Sequence, residues 1–206
     1  MNKLDLTKKY KSYFTAKRKP ELVDIEPAQF ISIRGKGDPS GQPFADKIET
    51  LYPVAYALKF MHKAKGQDFV VSKLEGLWWF DEEKFSGKTI DTSVEVPRSE
   101  WEYRLLIRLP DFVSKQELEK AKETVMAKRE LKHAGDLEYF TMHEGKSVQM
   151  LHVGPFSTEP ESLRHILAFT EANQLSRNGL HHEIYLSDFR KTDPQKLKTI
   201  LREPVK

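Results

Sequence analysis

Short segments of the chain alternate apolar and polar residues, and this pattern predicts β-strands. The segment 30–34 (FISIR) alternates at period two, which is typical of a strand with one buried face. The runs 68–80 and 99–108 are rich in β-branched and aromatic residues, and we expect them to pair antiparallel across the polar insertion 81–98. Later in the chain, the pattern predicts strands at 147–153, 181–188 and 199–205.

Other segments repeat apolar residues every three or four positions, which predicts amphipathic helices. From 44 to 65, residues such as Leu51 and Leu58 follow this spacing, and Pro53 either kinks the helix or marks a later start. A Ser-x-x-Glu capping box at 114–117 precedes a helix that should reach about residue 132. We also predict a helix at 161–173 and a short one at 194–197.

Both halves of the chain therefore follow the order strand, helix, strand, strand, which indicates an internal duplication. We expect an α+β protein whose two modules form a mostly antiparallel sheet, with helices on one face and a ligand cleft on the other. The prediction is a single domain, 1–206, made of an N-terminal arm (1–26), a first module (27–112), a connecting helix (113–135) and a second module (136–206).

Composition and charge narrow the classes of function. The chain has no cysteine, which excludes disulfides, thiolate nucleophiles and cysteine-ligated metals. Its 34 basic and 31 acidic residues are mixed along the sequence, and the local basic excess in the arm is interpreted as a solvated edge, so no nucleic-acid partner is expected. No apolar run approaches the ~20 residues of a membrane span, and the start lacks a signal-peptide pattern. We expect a cytoplasmic protein without a membrane partner.

Two familiar signatures fail on inspection. The glycines of segment 35–41 (GKGDPSG) have the wrong spacing for a dinucleotide fingerprint or a P-loop, and a proline interrupts them. His181, His182 and Glu183 look like metal ligands, yet adjacent residues of a strand point to opposite faces. We therefore expect no metal ion and no cofactor.

The strand at 181–188 carries the candidate catalytic pair. Glu183 and Tyr185 share one face, opposite Ile184 and Leu186, because successive side chains of a strand alternate. We expect that face to be the one without helices. Glu75 is a second candidate acid or base, or else a surface carboxylate.

Three tryptophans lie on two strands that should be neighbours. Trp78 and Trp79 are adjacent and cannot both face the helices, unless Gly76 marks a bulge, while Trp101 has Tyr103 beside it. Each could be an ordinary cross-strand packing residue. Together with a carboxylate they predict an aromatic pocket, which favours flat or cationic ligands.

Five segments resemble the motifs of GyrI-like small-molecule-binding proteins over nearly the whole chain, from about residue 20 onward. They are 34–39 (RGKGDP), 51–56 (LYPVAY), 74–79 (LEGLWW), 151–156 (LHVGPF) and 182–188 (HEIYLSD). The resemblance implies a tandem fold with a ligand cleft between its halves. In related effector-binding domains the glutamate that matches Glu183 meets cationic drugs. Tyr56 is taken as a further ligand-binding residue.

The segment 75–79 (EGLWW) also resembles a GyrI-like subgroup that hydrolyses cyclopropane-bearing DNA-alkylating compounds. That resemblance implies that Glu183 orients or deprotonates a water, while Tyr185 and the ring residues stack on the substrate. The partner would be a small hydrophobic molecule, planar or cationic, and the protein a monomer or weak dimer. It would stand alone and not regulate transcription directly, since the arm is too short for a helix-turn-helix. Two alternatives stay open: a non-catalytic multidrug-binding protein and a modulator of DNA gyrase.

Overall fold

The structure, a computed structural model, describes residues 3–206, and of Ile90 and Asp91 it describes the backbone alone. The strands are β1 Glu21–Ile25, β2 Ala28–Lys36, β3 Leu74–Trp79, β4 Glu102–Leu109, β5 Leu137–Met142, β6 Gly145–Val153, β7 His181–Tyr185 and β8 Lys198–Pro204. The α-helices are α1 Leu6–Lys9, α2 Lys11–Phe14, α3 Gln42–Ala64, α4 Lys115–Met126 and α5 Glu159–Ala172. Short 3-10 helices occur at Ile90–Glu95, Arg98–Glu100, Ala134–Asp136, Phe156–Thr158 and Pro194–Lys196.

The eight strands form one sheet in the order β1-β6-β8-β7-β3-β4-β2-β5, and every neighbouring pair is antiparallel. If the labels β1–β4 and β5–β8 are interchanged one for one, the strand order is the same when it is read from the opposite edge of the sheet. The two halves, β2-α3-β3-β4 and β6-α5-β7-β8, are therefore related by a pseudo-two-fold axis between β3 and β7. The predicted α+β class and tandem order are confirmed. Each half also lends an edge strand to the other, because β1 pairs with β6 and β5 pairs with β2.

The long helices cover one face of the sheet. Leu51 and Leu58 of α3 pack in the same core as Leu105 of β4, and α4 packs against α3. In the other half, Leu163 of α5 packs in a core with Leu201 of β8. These contacts remove from water the apolar stripes whose spacing predicted the helices.

The opposite face of the sheet is covered by the N-terminal arm, which corrects the expectation of an open cleft there. Tyr13 and Phe14 of α2 are buried against the β-strand residues Leu77, Leu106 and Ile184. Alternation along a strand separates two sets of side chains but does not say which set meets the helices. That choice depends on contacts between distant parts of the chain.

Several predicted boundaries also change. Pro53 lies inside α3, which begins at Gln42 with Pro43 in its first turn, so the alternative of a late start is wrong. The run 68–80 contributes a strand only from Leu74, while Phe69 forms an isolated bridge with Leu4. The capping box in front of α4 is confirmed, although the helix ends at Met126 rather than near residue 132. Strands β1 and β5 were not predicted.

Across residues 3–206, no helix is both long and apolar enough to cross a membrane.

Candidate functional site

A cavity of about 430 Å³ lies on the helix side of the sheet, between α3 and α5. Phe44 of α3 and Leu163 of α5 form two of its sides, and Trp78 of β3 lies between them. The insertion between β3 and β4 borders the cavity through Ser93, Val94 and Arg98. This volume is within the range of pockets that hold small organic ligands.

Glu183 and Tyr185 lie in this cavity, on the helix side, and not on the face where they were expected. The strand register shows why, because Glu183 is paired with Gly76 on one side and with Leu201 on the other. Leu201 faces α5, and paired residues of neighbouring strands share a face. The prediction that Glu183 and Tyr185 share a face is confirmed, and the choice of face is wrong.

Two groups of aromatic rings contribute to the wall of the cavity. In the first, the Trp78 ring stacks on Phe44, with centroids 5.9 Å apart, and meets Trp101 edge-on at 5.9 Å. In the second, Tyr185 contacts Phe156 at 5.9 Å and Phe189 at 5.8 Å, both edge-on. Such surfaces suit a flat apolar ligand, which gains from ring stacking as well as from burial.

A short chain of hydrogen bonds joins the two aromatic groups to Glu183. Trp78 Nε1 donates to the Tyr185 hydroxyl at 3.0 Å, and this hydroxyl donates to Glu183 Oε2 at 2.7 Å. Burial, and then the charge of Glu183, raise the pKa of Tyr185 well above its ordinary value. Tyr185 therefore stays protonated and holds Glu183 in place.

His181 supports Glu183 from the other side. Its Nε2 lies 3.3 Å from Glu183 Oε1, and its Nδ1 contacts the carboxylate of Glu203 on β8. Burial opposes the charged imidazole, but the carboxylates of Glu203 and Glu183 outweigh it and raise the pKa of His181 to about 10. His181 is thus an imidazolium at neutral pH, which donates from both nitrogens. Both oxygens of Glu183 are fixed, and each keeps a lone pair for a ligand or a water.

The other predicted aromatic residues lie at different depths relative to the cavity. Trp101 lines the cavity and donates from Nε1 to the Val96 carbonyl at 3.2 Å. Trp79 also borders the cavity, while its indole lies under the Arg34 guanidinium at 5.9 Å. Tyr103 is buried behind Trp78, with ring centroids 5.4 Å apart, and burial raises its pKa to about 12. Tyr103 supports the wall without lining it.

Two predicted ligand-binding residues lie away from this cavity. Glu75 is fully buried on the opposite face, where it accepts from the Tyr13 hydroxyl and lies 3.0 Å from His182 Nε2. Tyr56 is 45% exposed and lines a separate groove, on the far side of Tyr185. The expectation that they belong to one pocket with Glu183 is corrected, and Glu75 is not a surface carboxylate.

Sequence reasoning missed several residues that line the cavity. Phe44 and Glu159 belong to helices, and no strand alternation could assign them to a wall. Phe156 lies inside the motif at 151–156, which was a usable signal. The sequence pattern indicated His181 only as a possible metal ligand and not as a residue of the cavity wall. Among the side chains that the structure describes, no three histidine or acidic groups are placed to hold a metal ion.

Replacing Gly76 by alanine is expected to weaken ligand binding by about tenfold, the cost of roughly 1.4 kcal/mol. A Cβ there would lie 2.7 Å from Trp78 Nε1 and 3.0 Å from the Tyr185 hydroxyl, so the two side chains must separate. Their hydrogen bond, which joins the aromatic groups, would then be lost. Titration of tryptophan fluorescence with a flat lipophilic dye measures the change.

Gly135→Ala is the matched control, because a Cβ at this exposed position meets nothing within 4 Å. Unchanged dye affinity in Gly76→Ala, with the fold intact by circular dichroism, would show that the Trp78–Tyr185 contact does not shape the cavity.

Comparison with known proteins agrees with this geometry. The GyrI-like small molecule binding domain matches residues 18–206. A hydrolase from Listeria innocua is 38% identical, with full coverage of both chains and a TM-score of 0.86. An uncharacterized conserved protein from the same organism is 36% identical over 99% of this chain and 100% of its own, with a TM-score of 0.88.

A more distant structure, the C-terminal domain of EcmrR, shares the fold at 15% identity, covering 91% of this chain and 97% of its own with a TM-score of 0.55. No curated protein matches the sequence. With the family match extending over nearly its whole length, this chain belongs to the GyrI-like small-molecule-binding family.

Proposed function

We propose that this protein binds flat hydrophobic compounds in the cavity between α3 and α5 and hydrolyses those that carry a strained cyclopropane, so that DNA-alkylating molecules are detoxified. The observation that carries the proposal is a carboxylate fixed at both oxygens inside an aromatic cavity. The Listeria innocua protein described as a hydrolase, 38% identical over its full length, favours a hydrolytic reaction.

The reaction suits a site of this kind. In a spirocyclopropane conjugated to a dienone, the oxygen of water bonds to a ring carbon and one cyclopropane carbon–carbon bond breaks. The electron pair of that bond moves through the dienone to its carbonyl oxygen, and the product becomes an aromatic phenol. The aromatic walls would hold the flat substrate, and Glu183 would take the proton of the attacking water.

Tyr185 has a positioning role in this proposal. Its single hydroxyl proton is already donated to Glu183, and its lone pair accepts from Trp78. The phenol would therefore keep the carboxylate aimed at the water, while its ring stacks on the substrate.

A second candidate function is binding without catalysis. An anionic group surrounded by rings also attracts lipophilic cations, by charge and through the ring faces, at ~0.5–2 kcal/mol per ring. In that case Glu183 would be a counter-charge, and cationic compounds would be retained unchanged.

Incubation with a spirocyclopropyl dienone, followed by liquid chromatography and mass spectrometry, tests the proposal. We expect the water adduct to accumulate over many turnovers, with a rate that scales with protein concentration. Intact compound bound in equal amount to the protein, with quenched tryptophan fluorescence, would favour the binding function. Conversion no faster than in buffer would overturn hydrolysis.

A further inference from the structure

Glu159 brings a second carboxyl group to the cavity. It is the first residue of α5, lines the cavity beside Glu183, and is only 7% exposed. Among the described residues, its Oε1 has no hydrogen-bond partner, although the atom is buried. An unpaired buried oxygen is costly, and the cost is larger for a charged carboxylate than for a protonated carboxyl group.

The groups around Glu159 differ in whether they favour the charged or the protonated form of its carboxyl group. The N-terminus of α5 favours an anion, as do His181 of β7 and the Thr199 hydroxyl of β8. Burial, and then the charge of Glu183 on β7, outweigh them and raise the pKa of Glu159 well above its ordinary value. Arg98, in the loop that borders the same cavity, is 58% exposed and carries little weight.

The cavity therefore contains two carboxyl groups in different surroundings. Glu183 is held by two donors, from Tyr185 and His181, which stabilise a carboxylate. Glu159 keeps a proton because its surroundings disfavour a second negative charge. Pairs of acidic groups divided in this way commonly supply one acid and one base.

We infer that Glu159 is the general acid of the proposed hydrolysis and gives its proton to the carbonyl oxygen of the substrate as the cyclopropane bond breaks. The inference rests on the proposed function. When the carbon–carbon bond breaks, its electron pair reaches the carbonyl oxygen, which takes the proton of Glu159 and becomes the phenol. Glu183 meanwhile receives the proton of the attacking water. After the product leaves, this proton passes from Glu183 back to Glu159, directly or through a water, and the site is restored.

Glu159→Gln tests the inference, because the amide keeps the shape and a hydrogen-bond donor but cannot transfer a proton. We expect kcat to fall by about 10²-fold, the lower end of general acid catalysis, with KM changed less than about twofold. The fall of kcat at high pH, where wild-type Glu159 ionises, should also disappear. If Glu159 had a purely structural role, its substitution would lower the stability of the protein, and the fall of kcat at high pH would remain.

Glu161→Gln is the matched control, because Glu161 lies in the same first turn of α5 but is exposed. Infrared difference spectra supply a reading independent of turnover: the stretch of a protonated carboxyl should be present in the wild type and in Glu161→Gln, and absent from Glu159→Gln.

The outcomes separate the two hypotheses. An active wild type together with an equally active Glu159→Gln protein would overturn the general acid and leave the hydrolase intact, as would the absence of a protonated carboxyl in the wild type. A wild type without turnover would overturn the proposed function itself, and with it the catalytic role of Glu159.

Discussion

Glu183→Gln is expected to lower kcat for a neutral cyclopropyl dienone by about 10²- to 10⁴-fold, the range found when a general base is removed. Because both nitrogens of the His181 imidazolium donate, the side-chain oxygen of the glutamine should turn toward His181. The amide nitrogen of the glutamine would then face the Tyr185 hydroxyl. That hydroxyl loses its acceptor, and no group remains to take the proton of the water. Steady-state kinetics with product detection by mass spectrometry gives kcat and KM separately.

A neutral substrate and a cationic dye distinguish the two possible roles of Glu183. If Glu183 acts only as a counter-charge, Glu183→Gln weakens dye binding and leaves turnover of the neutral substrate unchanged, which would contradict a general base. Glu203→Gln is the comparison variant, because it removes a carboxylate from the same His181 without changing the cavity wall. An equal loss of kcat in both variants would assign the effect to the charge of His181 instead.

How much of the fold could be predicted depended on whether the signal was local. The period of apolar residues lies within a few residues of sequence, and it correctly indicated β2, α3, α5 and the order of elements in both halves. Strand β5 (LEYFTM) lacks strict alternation, and its place at the sheet edge is set by pairing with β2, more than a hundred residues earlier in the chain. No local pattern reports such a partner.

The N-terminal arm shows the same limit of prediction from local sequence patterns. The lysines of the arm suggested a solvated edge. However, Leu6, Tyr13 and Phe14, which lie among these lysines in the sequence, are almost completely buried against the sheet. Their apolar character was visible in the sequence, but the surface that receives them is assembled from β1, β2, β3, β4, β7 and β8. Because that surface is contributed by strands of both halves, the sequence could not show that this face is occupied, and the expected side of the cleft was wrong.

Within the site, sequence alone identified the residues of strands better than those of helices. Glu183 and Tyr185 followed from alternation, which shows that they share a face although not which face it is, and Trp78 followed from the family motif at 74–79. Phe44 and Glu159 reach the cavity from the first turns of α3 and α5. Which residue of a helix overlies a given strand depends on how the helix lies across the sheet, and this requires the structure.

Arg202→Met is expected to reduce the free energy of unfolding by about 3–5 kcal/mol, the usual cost of removing one partner from a buried ion pair. Arg202 is completely buried; it donates to Glu144 Oε2 at 3.0 Å, to Gln149 Oε1 at 2.9 Å and to the Tyr13 carbonyl at 2.7 Å. Methionine fills similar space but leaves these three acceptors without this donor. Urea denaturation followed by circular dichroism measures the loss, and Arg104→Met, whose partner Glu138 is half exposed, should cost much less.

The same network predicts how stability depends on pH. Burial opposes ionisation of Glu144, but the charges of His182 and Arg202 outweigh it and lower the pKa of Glu144 to about 2. Since this value is below the 4.5 of an unfolded glutamate, the stabilisation is complete above pH 4.5 and is lost as the pH falls toward 2. Without Arg202 the pKa of Glu144 should rise, so acid unfolding should begin at higher pH. If Arg202→Met unfolds in urea and in acid as the wild type does, His182 alone is enough to hold Glu144, and the guanidinium adds no stability.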